Sequence, residues 1–189
     1  MRLFIAVDLD DNARAAIATE QTRIAAVLAG SRSTVTWVKP DRMHLTLVFL
    51  GEVDDTRVAA VVASISRDLD AAPFEIVLEQ IGTFPAHGAP RAVWIGVGDG
   101  ADRLTGLQLE MARRVRALDL AVEPRPFHPH LTLGRWRSAR SSDRRKVVSA
   151  AKPGRIARLP VDGATLYHSR LSSSGPAYTP LARATLLRV

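Results

Sequence analysis

Residues 44–47 read His-Leu-Thr-Leu, and residues 130–133 read His-Leu-Thr-Leu again. The neighbouring text repeats too: RLFIAVD at 2–8 stands against AVWIGVGD at 92–99, a period of about 90 residues. That is too long for a solenoid repeat and suits two pseudo-symmetric lobes. Residues 2–9 are short, apolar and closed by acidic residues, as a buried strand is. Asp10 and Asp11 can cap a helix to about Leu28, with Ile17, Ile24 and Leu28 on one face and Gly30 ending it. Strands follow at 34–38 and 44–50, with Pro40 and Asp41 between them at a turn. A helix from about Asp55 to Leu69 carries Val58, Val61, Val62, Ile65 and Leu69 at helical spacing, and a strand at 74–79 closes the first half.

The second half runs in the same order. A strand at 91–98 leads to a helix at 101–118, a short extended piece at 120–123 and a strand at 130–136. A basic helix at about 141–151 and a strand near 161–168 complete it. Each half thus reads β-α-β-β-α-β. The sequence predicts an α+β chain, 1–189, of two duplicated ferredoxin-like lobes at about 2–79 and 91–168, with antiparallel sheets facing a central cleft. A strand at about 178–187 is surplus to that count and is free to return and pair with the other lobe.

In a strand, side chains at i and i+2 share a face. His44 with Thr46, and His130 with Thr132, therefore point one way, and the leucines between them point into the helix layer. If the lobes meet open face to open face, two imidazoles and two hydroxyls converge. Displacement at phosphorus needs a base on the attacking oxygen and an acid on the departing one, and histidine suits both because its ordinary pKa lies near 6.5. Threonine hydroxyls can hold the non-bridging oxygens. One such tetrapeptide is weak evidence; two at matching points of a duplicated order are strong. The repeat is symmetric, so it does not say which histidine is the acid.

The absence of cysteine removes disulfides, zinc ribbons and thiol catalysis. The motifs offer one good metal ligand per strand, and no acidic residue lies within three positions of His130, so no metal and no cofactor are expected. His128, before Pro129, reads as a turn residue that orients the following strand, and His87 and His168 read as surface or loop histidines. No apolar run is long enough to span a membrane and none has a secretory signal's flanks, so a cytoplasmic location is expected. Charge is uneven. Residues 1–102 carry 9 basic and 14 acidic side chains, whereas 103–189 carry 17 and 5. That polarity suits a polyanion, although 23 of the 26 basic residues are Arg, which a GC-rich coding bias also explains. Arg140, Arg144 and Arg145 lie just beyond the second motif and are candidate RNA contacts. Trp37 and Tyr178 are candidates for base stacking or for packing, and Phe49 and Trp136 alternate onto the core side.

With RLFIAVDL at 2–9, MHLTLVFLGEV at 43–53, PFHPHLTLGR at 126–135 and YHSRL at 167–171, the chain resembles the two-histidine phosphoesterase superfamily. Within it, the chain most resembles the RNA 2′,3′-cyclic phosphodiesterase family, historically called 2′-5′ RNA ligases, over essentially its whole length. The resemblance implies a bilobal fold, ATP- and metal-independent chemistry, and opening of a terminal 2′,3′-cyclic phosphate to a 2′-phosphomonoester. It makes His44 the proton donor and His130 the proton acceptor, and gives Arg135 a contact with the phosphate. By strand parity Arg135 would face away from His130, so that role needs a bend or bulge, expected at Gly134. Val48 departs from many relatives, which carry a basic or polar residue there. The expected partner is RNA with a cyclic phosphate end, tRNA fragments and cyclic nucleotides included, acted on by a monomer. The rival readings are 2′-5′ joining by the same site, and a non-catalytic RNA-binding module, against which the complete histidine pairs argue.

Overall fold

The computed structural model describes residues 1–172 and 175–187. In chain order these form β1 (Arg2–Val7), α1 (Asp11–Leu28), β2 (Thr34–Trp37), β3 (Leu45–Glu52), α2 (Asp55–Ile65), β4 (Phe74–Phe84) and β5 (Ala92–Val97). Then come α3 (Ala101–Arg116), β6 (His130–Ser138), α4 (Ser141–Ala150), β7 (Arg155–Val161), β8 (Gly163–Ser172) and β9 (Gly175–Thr185). The strands make two antiparallel sheets, ordered β3-β1-β8-β9 and β2-β6-β5-β4-β7. The α+β class with two facing antiparallel sheets is therefore as the sequence predicts. Among the described residues no helix is long and apolar enough to cross a membrane.

The sheets do not follow the halves of the sequence. β4 closes the first half yet pairs with β5, and β8 belongs to the second half yet pairs with β1. β2 also crosses over, to the edge beside β6. The helices divide likewise: α1 packs on β7 and α4, while α3 packs on β3 and α2. Each sheet is thus completed by strands of the other half, and neither half has a finished core of its own. The stretch at 120–123, expected as an extended piece, forms no strand. In the first half its counterpart β2 has left for the other sheet, so β3 is an edge strand. The surplus C-terminal strand, β9, pairs with β8 and so joins the sheet of β1.

Local chemistry explains the elements. The Asp10 carboxylate accepts from the Ala13 amide at 2.7 Å and caps α1, whose Ala13, Ile17, Gln21, Ile24 and Leu28 are buried. α2 stops at Ile65 instead of running to Leu69. The buried Arg114 guanidinium, held by Glu110 at 2.9 Å, donates to the carbonyls of Ser64, Arg67 and Asp68 and satisfies that turn outside a helix. Leu3, Ile5, Leu45, Ile95 and Leu131 are fully covered, each worth about 1.5–3 kcal/mol of burial.

A bulge interrupts each histidine strand at the same place. On β3, Thr46 faces Ala6 and Val48 faces Ile5, so Leu47 is the extra residue. On β6, Thr132 faces Trp94 and Gly134 faces Val93, so Leu133 is the extra residue. A bulge leaves backbone groups without ladder partners. Here the Leu133 carbonyl accepts from the Val38 amide at 2.9 Å and from the Gln21 side-chain amide at 2.8 Å, and Gln21 also donates to the Val38 carbonyl at 2.8 Å. Replacing buried Gln21 by Leu strands part of that polar cluster. The Gln21→Leu protein should lose about 1–3 kcal/mol in urea unfolding; a change below the error of the extrapolation would show that the amide is dispensable.

Candidate active site

His44 stands at the head of β3 and His130 begins β6, and these two strands approach each other across the gap between the sheets. His44, Thr46, His130, Thr132 and Arg135 line one small cavity of about 130 Å³, together with Arg42, Met43, Val38 and Tyr178. That is ample room for a phosphate group. A larger cleft of about 630 Å³ continues from it past Thr46, His130, Thr132 and Arg135. Phe49, Phe84 and Phe127 line this extension, with Arg91, Arg125 and Gln108.

The two histidines are held in one way. Nδ1 of His44 lies 2.9 Å from the carbonyl oxygen of Arg42, and Nδ1 of His130 lies 2.7 Å from that of His128. A carbonyl only accepts, so each Nδ1 carries the proton, and each Nε2 is left without a protein partner among the described residues. Aromatic rings fix the planes. Phe4 lies 4.8 Å from the His44 ring and Tyr178 meets it edge-on at 5.2 Å. Phe84 meets His130 edge-on at 5.0 Å, with Trp94 at 6.2 Å.

Burial pushes both imidazoles below their ordinary pKa, because the cation is the form that loses hydration. The nearby charges differ in sign. The Asp8 carboxylate favours the charged form of His44, whereas His128 and Arg135 disfavour the charged form of His130. Asp8 is itself fixed by hydroxyls of Thr165 (2.7 Å) and Tyr167 (2.5 Å) and by Arg183 at 3.2 Å. That burial and partnership raise the pKa of the Tyr167 phenol. Both histidine pKa values are lowered, so the unfolded chain takes up these protons first. Their contribution to stability is therefore complete above about 6.5 and declines as pH falls below it.

Several sequence expectations change here. Arg135 does reach the cleft, through the bulge at Leu133 and not at Gly134. The matching bulge on β3 turns Phe49 out of the core: it is 46% exposed and lines the cleft, and Val48 is buried at 2% in its place. The departure from family pattern at Val48 thus falls on a covered position. Trp37 pairs with Gly134 and packs on the core side, lining neither cavity, whereas Tyr178 does line the small one. Trp136 packs against the core as expected. Arg140, Arg144 and Arg145 line neither cavity. Arg140 precedes α4, which packs on α1, and Arg144 donates to the Gly88 carbonyl. His168 is half-buried within β8, not on a loop. His128 orients the strand entry as expected, through its carbonyl on His130, whereas Arg42, which holds His44 in the same way, was not singled out from the sequence. Arg125 comes from an irregular segment that no periodicity marks, and Arg91, expected to open the strand at 91–98, stands just before β5.

A family profile described as the 2′-5′ RNA ligase superfamily matches residues 10–172. The chain is 33% identical over 181 residues to an RNA 2′,3′-cyclic phosphodiesterase of Archaeoglobus fulgidus, covering 96% of this chain and 98% of the relative. It is 34% identical to a protein of the same name from Thermus thermophilus, over 98% of this chain and 90% of that one. Among solved structures, E. coli LigT complexed with 3′-AMP superposes with a TM-score of 0.77 at 28% identity, covering 99% of this chain and 98% of the other.

The opposed charges make a separable prediction. Asp8→Asn should lower the NMR titration midpoint of His44 and leave that of His130 in place; equal movement of both rings would mean that Asp8 acts through the fold and not through its charge.

Proposed function

Since this chain belongs to the 2′-5′ RNA ligase superfamily, we propose that it is a phosphodiesterase that opens the 2′,3′-cyclic phosphate of an RNA end to a 2′-phosphomonoester. The observation that supports this most is the pair of carbonyl-held imidazoles, each with its Nε2 directed to one cavity with room for a phosphate group. The neutral Nε2 of His130 takes a proton from water as its oxygen bonds to phosphorus. The bond from phosphorus to the 3′ oxygen breaks, and His44 gives that oxygen its proton. The products are a free 3′ hydroxyl and the 2′-phosphomonoester. Asp8 beside His44 and Arg135 beside His130 favour this orientation over its reverse. Thr46, Thr132 and Arg135 donate to the non-bridging oxygens, whose charge grows as the fifth bond forms. Among the described residues no group of three or more His, Cys, Asp or Glu could hold a metal ion, and the acid–base pair needs none.

The cavity also supports a second use of the site. The larger cleft opens beside His130, the side from which the nucleophile comes, and a 5′ hydroxyl of another RNA placed there would form a 2′-5′ linkage instead. Cleavage and joining yields measured on one pair of RNA halves, tRNA halves among them, separate the two uses. Arg91 and Arg125 in that cleft are better placed than α4 to meet upstream phosphates.

His44→Ala and His130→Ala should each reduce turnover of a cyclic-phosphate-ended RNA at least ~100-fold with the fold intact. The wild-type rate should survive exhaustive chelation. Because burial lowers both imidazoles, the bell of kcat/KM against pH should centre on the acid side of about 6.5. Near-normal turnover by folded His130→Ala would overturn the mechanism.

A further inference from the structure

Two residues before each motif histidine the repeat is unequal: the first half carries Arg42 there and the second carries His128. The two backbones do the same work, since the carbonyls of Arg42 and His128 hold the two Nδ1 protons. The side chains diverge. His128 lines the larger cleft, whereas Arg42 lines the small cavity. Each wall of that cavity thus supplies one guanidinium, Arg42 from just ahead of β3 and Arg135 from β6. We infer that Arg42 is a second phosphate-binding residue and that, with Arg135, it makes the cavity selective for a phosphate dianion. The 2′-phosphomonoester product is then held more tightly than the cyclic substrate and inhibits the reaction, an inference that rests on the activity proposed above.

Among the described residues, the lining of the small cavity contains two guanidiniums and no carboxylate. Burial holds both imidazoles below their ordinary pKa, so above about pH 7 they add no charge. Asp8 lies outside the lining and is engaged by Arg183 at 3.2 Å. The two cations act on one point: burial raises the pKa of the Tyr178 phenol, and Arg42, Arg135 and, from outside the cavity, Arg2 pull it back down. The Arg42 side chain lies against the backbone of Gly175 at the start of β9, where an added Cβ would overlap its guanidinium. The cyclic diester carries one negative charge. Opening it with water yields a monoester whose second proton leaves near pH 6, so at pH 7.5 the product carries two. Each guanidinium presents a fork of donors to phosphate oxygens. Two of them match the charge of the product and exceed that of the substrate.

The test compares adenosine 2′-monophosphate, a dianion at pH 7.5, with adenosine 2′-methylphosphonate, in which a methyl group replaces one charged oxygen and a single charge remains. Binding of each is measured by calorimetry, without turnover, in wild-type, Arg42→Gln and Arg42→Lys proteins of matched melting temperature. The wild type should bind the monophosphate at least ~10-fold more tightly, the scale of one charge-assisted hydrogen bond. Arg42→Gln should lose most of that preference, and Arg42→Lys should keep most of it. In turnover of adenosine 2′,3′-cyclic phosphate, Arg42→Gln should raise the Ki of the monophosphate by a similar factor and raise KM by less. Equal binding of the two compounds by the wild type, which needs no variant to fold, overturns the inference. So does a preference that survives Arg42→Gln, or an equal rise in Ki and KM. An Arg42-dependent preference without any opening of the cyclic phosphate would instead overturn the proposed activity and leave the dianion site standing.

Discussion

An imidazole exchanges a proton with a substrate only through a ring nitrogen that nothing else engages. In this molecule the backbone settles which nitrogen that is. The carbonyls of Arg42 and His128 each take the Nδ1 proton of the histidine two residues on, so both rings present Nε2 to the same cavity. The rest of the architecture serves to bring those two pinned rings face to face. Their strands must lie in different sheets, with the sheets' open faces opposed, and with leucines on the reverse side to bind the helices. Leu45, Leu47, Leu131 and Leu133 do so, each exposed by 4% or less.

Exchange of β4 and β8 between the sheets gives this arrangement its firmness. Two lobes joined by one linker could rock about it. Here the exchanged strands make the chain pass between the two sheets four times, at β1–β2, β2–β3, β3–β4 and β7–β8, so several connections and not one restrain the opening of the cleft. The paired bulges then adjust what each wall offers. One turns Arg135 to the small cavity, and the other turns Phe49 to the extension of the cleft. The electrostatics break the symmetry of the repeat: burial lowers both imidazoles, but the Asp8 carboxylate favours the charged form of His44 and the Arg135 guanidinium disfavours that of His130.

Much of this was legible in the sequence, and what was not has definite causes. The histidine–threonine face follows from the two-residue period of a strand, and the helices follow from their caps and apolar spacing. Strand exchange was not legible, because β4 and β8 have the same apolar pattern whichever sheet receives them. Phe49 was assigned to the core by an alternation that a single extra residue at Leu47 reverses. The same reversal was foreseen for Arg135 only because the family resemblance demanded it. The charge on α4 was real but on the wrong side of the sheet, since sequence distance from His130 says nothing about which face a helix covers.

The central claim is that His130 and His44 act on opposite apical oxygens of one phosphorus. A structure with a nucleoside 2′,3′-cyclic vanadate in the cleft, which mimics the five-bonded state, tests it most directly. The account predicts the Nε2 of His130 within about 3 Å of the apical oxygen not shared with ribose, and that of His44 equally near the apical ribose oxygen. Both imidazoles on equatorial oxygens, or the two exchanged between the apical positions, would contradict it.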